Sequence, residues 1–131
     1  MTDLDYESLE VGEEYGPLSY VITAEKLDTF RKVIGDPDAA HPTIGSKDHV
    51  NVFRTRHGVA PFLPAKYEAW YQSPPEPGEQ ITVTGRLADK YVRRGRGYLV
   101  IETVSVGADQ RELVRSKVTL VVRSYKPEGE R

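Results

Sequence analysis

The sequence contains no cysteine, so it can form neither a disulfide framework nor a thiolate nucleophile. It also has no long apolar run, and its acidic start, "MTDLDYESLEVGEEYG", has the features of neither a signal peptide nor a membrane anchor. The formal net charge of -2 gives no electrostatic reason to expect nucleic acid or a membrane as partner. We therefore expect a cytoplasmic protein with another kind of ligand.

What the sequence does contain is the composition of an ordinary globular domain. Its 131 residues are 38% hydrophobic and 29% charged, which suits one domain with one core. We expect a single domain over residues 1–131, with its core at about 10–124 and a polar tail at 125–131.

The N-terminal half combines a strand with helices. "GPLSYVIT" (16–23) predicts a strand, and Thr23 is a suitable N-cap for a helix that ends at Gly35. A short helix is expected from Ser46 to about Arg54. A second helix is expected from Pro61 or Pro64 to Gln72, with one face formed by Phe62, Ala65, Ala69 and Trp70.

The C-terminal half alternates apolar and polar residues as antiparallel strands do. "QITVTGRLADKYV", "RGYLVIETVSV" and "ELVRSKVTLVVRSY" follow one another with tight connections. The apolar residues of one face are expected to be Ile81, Val83 and Leu87 in the first of these strands and Val114, Val118, Leu120 and Val122 in the last. A helix must cover the apolar face of such a sheet, and the predicted helix that carries Trp70 is the natural candidate. The sequence thus predicts an α+β fold in which a curved antiparallel sheet wraps around a central helix.

Asp36 and His41 are five positions apart, directly after the helix-ending Gly35. Gly, Asp and Pro are also common turn residues, so the segment can be a plain turn or a general acid/base pair. His49 and His57 are expected to be structural or surface residues. The three histidines and the nearby Asp36, Asp38 and Asp48 show no compact ligand spacing, so we expect no metal site.

At this point the sequence resembles the MaoC-like hydratases and dehydratases of the hot-dog fold, over roughly residues 10–124. "IGDPDAAH" (34–41) is similar to the family motif Gly-Asp-x-Asn-Pro-x-His, with Asp38 and Ala39 in place of its Asn and Pro. "HGVAPF" (57–62) looks like the family's His-Gly segment leading into the central helix. "PPEPGEQITVTGRLADKYV" looks like the turn and first long strand of its closing sheet.

The resemblance implies an enoyl-thioester hydratase or 3-hydroxyacyl dehydratase that acts on an acyl chain carried by coenzyme A or acyl carrier protein. It implies Asp36 and His41 as the acid/base pair and the backbone N–H of Gly58 as the oxyanion donor. It implies no cofactor. It also implies a homodimer, or a heterodimer with another MaoC-like chain.

Two departures from the family pattern keep other functions open. Lys66 corresponds to a Ser of the family's central helix, and too few residues separate Trp70 from Ile81 for the strand that usually follows that helix. The alternatives are a non-catalytic acyl-binding subunit of a heteromeric dehydratase, a hot-dog thioesterase and a free-standing acyl-binding module.

The stretch "KYVRRGRGY" concentrates positive charge at one predicted hairpin. Arg93, Arg94 and Arg96 are expected to bind the phosphates of the carrier, because guanidinium groups suit phosphate geometry. A solvated turn and an RNA contact are the other interpretations of this basic hairpin.

Overall fold

The computed structural model describes residues 5–25, 28, 32, 48–58, 62–73 and 75–122. Within them lie five strands and one continuous helix, which are β1 (Glu14–Val21), α1 (Asp48–His57), β2 (Phe62–Tyr71), β3 (Gln80–Arg93), β4 (Arg96–Val106) and β5 (Glu112–Val122). Residues 24, 25, 28 and 32 are also helical, in agreement with a helix after Thr23. No helix in these ranges is both long and apolar enough to cross a membrane.

The strands form one antiparallel sheet in the order β1-β3-β4-β5-β2. β3 and β4 are joined by a two-residue turn in which Arg94 and Gly95 both have positive φ, the geometry that matches the twist of a tight hairpin. The predicted meander of three C-terminal strands is therefore confirmed, and the fold is α+β with a hot-dog arrangement of sheet and helix.

The core lies between α1 and one face of the sheet. Val52 and Phe53 of α1 are fully buried against the inward side chains of the strands. These include the alternating apolar residues that the sequence indicated, namely Ile81, Val83, Leu87, Val118 and Leu120. α1 itself is only weakly amphipathic, so its position depends on these two large side chains and on polar contacts at its two ends.

The segment predicted as the central helix is a strand. Residues 62–71 form β2, which pairs with β5 along its whole length, from Phe62 opposite Val122 to Tyr71 opposite Val114. A short stretch with apolar residues at 62, 65, 69 and 70 is compatible with the periodicity of a helix and with that of a strand. Pairing with the long neighbouring strand β5 makes it a strand. Pro64 is acceptable because β2 is an edge strand.

Two consequences follow from this correction. The central helix is α1, described over Asp48–His57, where the sequence predicted a short helix from Ser46 to about Arg54. The strand that seemed to be missing between the central helix and the Pro-Gly turn is β2 itself, and Lys66 lies on that strand. Within the described ranges the sheet has five strands, all from one chain.

Candidate functional site

The predicted acid/base pair lies outside the described residues. Asp36 and His41 fall in the segment between residues 32 and 48, so their roles stay predictions. The described chain resumes at Asp48, seven positions after His41, and Asp48 is the first residue of α1. In the sequence, the predicted acid/base pair thus precedes the N-terminus of the central helix.

Gly58 lies at the opposite end of α1 from the one the prediction required. It follows His57, the last residue of the helix, with φ of 75°, and its N–H donates to the Arg54 carbonyl over 3.1 Å. Gly at this position ends a helix in the left-handed conformation. The expectation that Gly58 opens a helix is wrong, because the segment after it is a strand.

Arg93, Arg94 and Arg96 lie where the sequence placed them. They occupy the β3–β4 turn and the strand ends beside it, and all three are exposed. Because all three residues are exposed, their guanidinium groups are accessible to a charged ligand in solvent. No contact within the described residues assigns them a ligand.

A buried polar cluster, which the sequence did not indicate, lies at the N-terminus of α1. Asp48 is only 4% exposed, and its Oδ2 accepts hydrogen bonds from Ser105 Oγ at 2.7 Å and from Tyr20 OH at 3.4 Å. Burial raises the pKa of Asp48, and the two hydroxyl donors only partly oppose that shift. These three residues, from α1, β4 and β1, form the Asp48 cluster.

His49 and two tyrosines of β2 extend the Asp48 cluster. The His49 ring is buried, and its centroid is 6.1 Å from that of Tyr67. Burial, with smaller contributions from Tyr71 and Asp48, raises the pKa of Tyr67 to about 12. The cluster thus combines a carboxyl group, an imidazole and several hydroxyls, which are groups that can hold or move a proton.

The C-terminus of α1 holds a different polar arrangement. His57 Nε2 lies 2.5 Å from Glu13 Oε2, and Arg56 Nε lies 3.7 Å from the same oxygen. The other oxygen, Oε1, accepts from the Glu10 N–H at 2.9 Å. Burial alone would raise the pKa of Glu13, because it disfavours the charged form. The hydrogen bonds and the nearby His57 outweigh that effect, so the pKa of Glu13 is lowered. His57 therefore has the structural role that was expected of it.

Sequence reasoning counted Asp48 only as one of several acids near the histidines, and it left His49 as a structural or surface residue. A short sequence pattern could have identified Asp48 and His49 as candidate functional residues. An Asp–His pair stands immediately before Val50, Val52 and Phe53, the apolar part of a short helix. Charged residues at such a position are buried only when other elements supply hydrogen-bond partners, and those partners come from distant strands.

Two other features of the described residues do not point to a ligand. A cavity of about 500 Å³ opens beside β1, but the charged groups that line it include Arg86, which pairs with Glu102 at 2.8 Å, and Arg115, which pairs with Glu112. No group of three or more histidine, aspartate or glutamate side chains in these ranges could hold a metal ion.

No family model matches the sequence, and no curated protein matches it significantly. The fold is nevertheless shared with solved structures. A MaoC-like dehydratase from Rhodospirillum rubrum superimposes with a TM-score of 0.73 at 14% identity, over 88% of this chain and 94% of that one. An (R)-hydratase from A. caviae involved in PHA biosynthesis has a TM-score of 0.70 at 13% identity, over 88% and 98% of the two chains.

The HadBC complex of Mycobacterium tuberculosis, a 3R-hydroxyacyl-ACP dehydratase, also shares the fold. The TM-score is 0.69 at 14% identity, over 85% of this chain and 96% of that one. At such low identity the likeness establishes the fold and not the activity. The fold that the sequence resemblance implied, that of the MaoC-like dehydratases and (R)-hydratases, is confirmed.

Proposed function

We propose that the protein is a hydratase/dehydratase that interconverts trans-2-enoyl and 3-hydroxyacyl thioesters, with coenzyme A or acyl carrier protein as the carrier. The observation that carries the proposal is the combination of a hydratase-type fold with the segment "IGDPDAAH" (34–41), which precedes the central helix in the sequence. Neither part suffices alone, because one fold hosts many functions and turns rich in Asp and Gly are common.

In this proposal Asp36 and His41 hold one water between them. The pair takes a proton from the water as the oxygen attacks the β-carbon, and it delivers a proton to the α-carbon. Positioned acid/base groups of this kind contribute roughly 10²–10⁴-fold to a rate. The N–H of Gly58 is not part of the proposal, because it already donates to the carbonyl of Arg54.

We assign the exposed arginines of the β3–β4 turn to the carrier. Arg93, Arg94 and Arg96 present three cations in one place, and a guanidinium group can bind a phosphate oxygen pair through two parallel hydrogen bonds. Such contacts would bind substrate and transition state equally, so they would act on the Michaelis constant and not on turnover.

We also propose that the protein works with a second hot-dog chain. The HadBC structure is a complex, and β2 is an edge strand that exposes large apolar side chains. A second copy of this chain and a different MaoC-like chain are both compatible with those two observations.

A non-catalytic acyl-binding subunit is the alternative function. The observation that favours it is the departure from the family motif, in which Asp38 and Ala39 replace Asn and Pro between the two proposed catalytic residues. The third candidate, a thioesterase, would share the fold but would not need the spacing of Asp36 and His41.

Incubation with crotonyl-CoA separates these functions. Loss of the enone absorbance indicates hydration, release of free thiol indicates a thioesterase, and neither change indicates a binding subunit. We expect Asp36→Asn and His41→Ala each to reduce hydration by at least about a hundredfold. Asp109→Asn is the matched control, because Asp109 is exposed and its positive φ suits Asn. Full hydration activity in the Asp36 or His41 variant would exclude that residue from catalysis.

A further inference from the structure

Two tyrosines stack on each other across the β3–β4 hairpin. Tyr91 faces Tyr98 in the antiparallel register, their ring centroids are 5.0 Å apart and their planes differ by 11°. Both rings lie on the outer face of the sheet, because Leu99 and Ile101, which take the alternate positions of β4, are fully buried on the inner face. The two tyrosines are only half-buried, so this part of the hairpin presents an aromatic surface on the side away from α1.

Arg93 and Arg96 extend the same surface towards the turn. They face one another in the register, and each lies two residues from a tyrosine on its own strand, so all four side chains are on the outer face. Both arginines are exposed, and like charges at facing positions destabilise an antiparallel pair. A bound anion would remove that repulsion, and guanidinium groups suit the geometry of phosphate. We call Tyr91, Tyr98, Arg93 and Arg96 the Tyr–Arg platform.

The ring of Tyr91 lies at an open side of the hairpin. β1 pairs with β3 only from Gln80 to Arg86, so in the described part of the chain no strand lies beside Tyr91 on the side away from Tyr98. One face of the Tyr91 ring is taken by the stack, and the other is on that open side. A planar ligand can therefore continue the stack, and bases commonly bind to aromatic side chains in this way.

The N-terminal segment holds the hairpin from the opposite face. The hydroxyl group of Tyr6, a residue of the core, lies 2.8 Å from the carbonyl oxygen of Tyr91 and 3.1 Å from that of Tyr98. Lys90 Nζ donates to the Leu9 carbonyl at 2.9 Å. These contacts fix the backbone beneath both tyrosines, so a ligand binds with little loss of conformational freedom in the protein.

We propose that the Tyr–Arg platform binds an adenine nucleotide, with the base stacked on Tyr91 and the phosphate groups on Arg93 and Arg96. Two sources share this chemistry, coenzyme A and a free adenine nucleotide. With coenzyme A as the source, the inference deepens the proposed function and rests on it. Binding of the nucleotide itself does not require hydratase activity.

Asp89 sets the direction of the nucleotide and favours adenine. It lies two residues before Tyr91, opposite Val100, and therefore on the outer face at the end away from the arginines. Its Oδ1 accepts from the Lys90 N–H at 2.8 Å, which leaves Oδ2 to accept from an amino group. Adenine has such an exocyclic amino group, whereas hypoxanthine has a carbonyl oxygen there. The negative charge of Asp89 also directs the phosphate groups towards Arg93 and Arg96.

The platform is remote from the Asp48 cluster. Arg96 and Ser105 are nine residues apart on β4, which corresponds to roughly 30 Å along an extended strand. Nucleotide binding at the platform can therefore be measured independently of the groups at the N-terminus of α1.

The test is titration calorimetry of the full-length protein with adenosine 3′,5′-bisphosphate. Tyr91→Leu, which keeps apolar bulk but removes the ring, should weaken binding by about tenfold, and Tyr91→Phe should leave it nearly unchanged. Arg93→Ala and Arg96→Ala should each weaken binding and make it less dependent on salt. Trp70→Leu and Arg86→Ala are the matched controls, because both residues are exposed on the outer face but lie outside the platform.

A set of related ligands identifies the base and the source. ADP should bind more tightly than inosine 5′-diphosphate, and Asp89→Ala should abolish that preference. Coenzyme A and the bisphosphate binding more tightly than ADP would identify coenzyme A as the source, and tighter binding of ADP would identify a free nucleotide. Either result supports the platform as an adenine-nucleotide site.

Four results would overturn the inference. They are no binding of any of these nucleotides at millimolar concentration, equal binding by Tyr91→Leu and the wild type, equal affinity for inorganic pyrophosphate and ADP, and binding of single-stranded oligoadenylate without binding of mononucleotides. The last result would make the surface a nucleic-acid contact instead. Hydration of crotonyl-CoA without nucleotide binding at the platform would contradict this inference alone, whereas nucleotide binding without hydration contradicts only the proposed activity.

Discussion

The two ends of α1 each hold a buried carboxyl group, yet the pKa values of the two groups shift in opposite directions. Asp48 at the N-terminus is 4% exposed, and the side chain of Glu13 at the C-terminus is 5% exposed. The pKa of Asp48 is raised and that of Glu13 is lowered. Burial favours the neutral form of both carboxyl groups and raises both pKa values. The hydrogen-bond partners therefore decide whether the net pKa shift is upward or downward.

The partners differ in charge. Glu13 has His57 and Arg56 beside it and accepts from a backbone N–H, so its negative charge is well compensated. Among the described residues, the side-chain donors to Asp48 are two hydroxyl groups, those of Ser105 and Tyr20. A buried carboxyl group without a cation costs stability, and such groups are concentrated at functional sites. The comparison is consistent with a structural role for the C-terminal end of α1 and makes the N-terminal end the one whose function is to be tested.

The largest expected effect comes from removing the charge of Glu13. Glu13→Gln should lower the free energy of unfolding by roughly 2–3 kcal/mol at neutral pH, because it weakens charged hydrogen bonds in a buried place. Since the folded-state pKa is lowered, the wild-type contribution is present above the ordinary value of 4.5 and is lost as pH falls through the lowered pKa.

Urea unfolding of the wild type and Glu13→Gln between acidic and neutral pH measures this effect. The difference between the two proteins should shrink as the solution becomes more acidic. Glu10→Gln is the control, because Glu10 is exposed and contributes to the contact only through its backbone N–H. A difference that stays constant with pH would show that the charge of Glu13 is not what stabilises this end of α1.

Asp48→Asn should raise the free energy of unfolding at neutral pH, by less than Glu13→Gln lowers it. Burial raises the pKa of Asp48, so its charge costs stability at neutral pH and removing the charge relieves that cost. The gain should shrink as pH falls through the raised folded-state pKa and vanish below the ordinary value of 3.8, where the carboxyl group is protonated in the folded and unfolded states alike.

Asp48→Asn also distinguishes a functional role of the N-terminal end of α1 from a purely structural one. If the Asp48 cluster is functional, hydration of crotonyl-CoA falls in Asp48→Asn while the protein becomes more stable, a trade-off common at active sites. Unchanged hydration in a stabilised protein would make Asp48 a structural residue. Loss of stability at neutral pH would contradict the direction of its pKa shift.

The sequence predicted the part of the fold that is local. The first and last of the three C-terminal strands alternate regularly, so their inner faces, including Ile81, Val83 and Leu87, were identified correctly. β2 was misassigned as a helix because its apolar residues are compatible with both a helix and a strand. Its secondary structure depends on pairing with β5, which lies some 50 residues away in sequence.

The Asp48 cluster was missed for a related reason. Asp48, Ser105 and Tyr20 are far apart in the chain, and only the folded sheet brings them together. By contrast, the Arg93–Arg96 turn depends on adjacent residues and was placed correctly. Patterns within ten residues are readable from sequence, whereas contacts that depend on tertiary packing are not.

The smallest expected effect tests whether the Asp48 cluster is a coupled unit. Tyr20→Phe removes a long hydrogen bond of 3.4 Å to Asp48 Oδ2, so it should cost only about 0.5 kcal/mol of stability at neutral pH. That cost should disappear in the Asp48→Asn background, because the charge that strengthens the bond is gone. Equilibrium unfolding of the two single variants and the double variant gives the coupling energy. If Tyr20→Phe costs the same in both backgrounds, the effect comes from packing of the Tyr20 ring, and the N-terminal end of α1 depends on Ser105 alone to hold its carboxyl group.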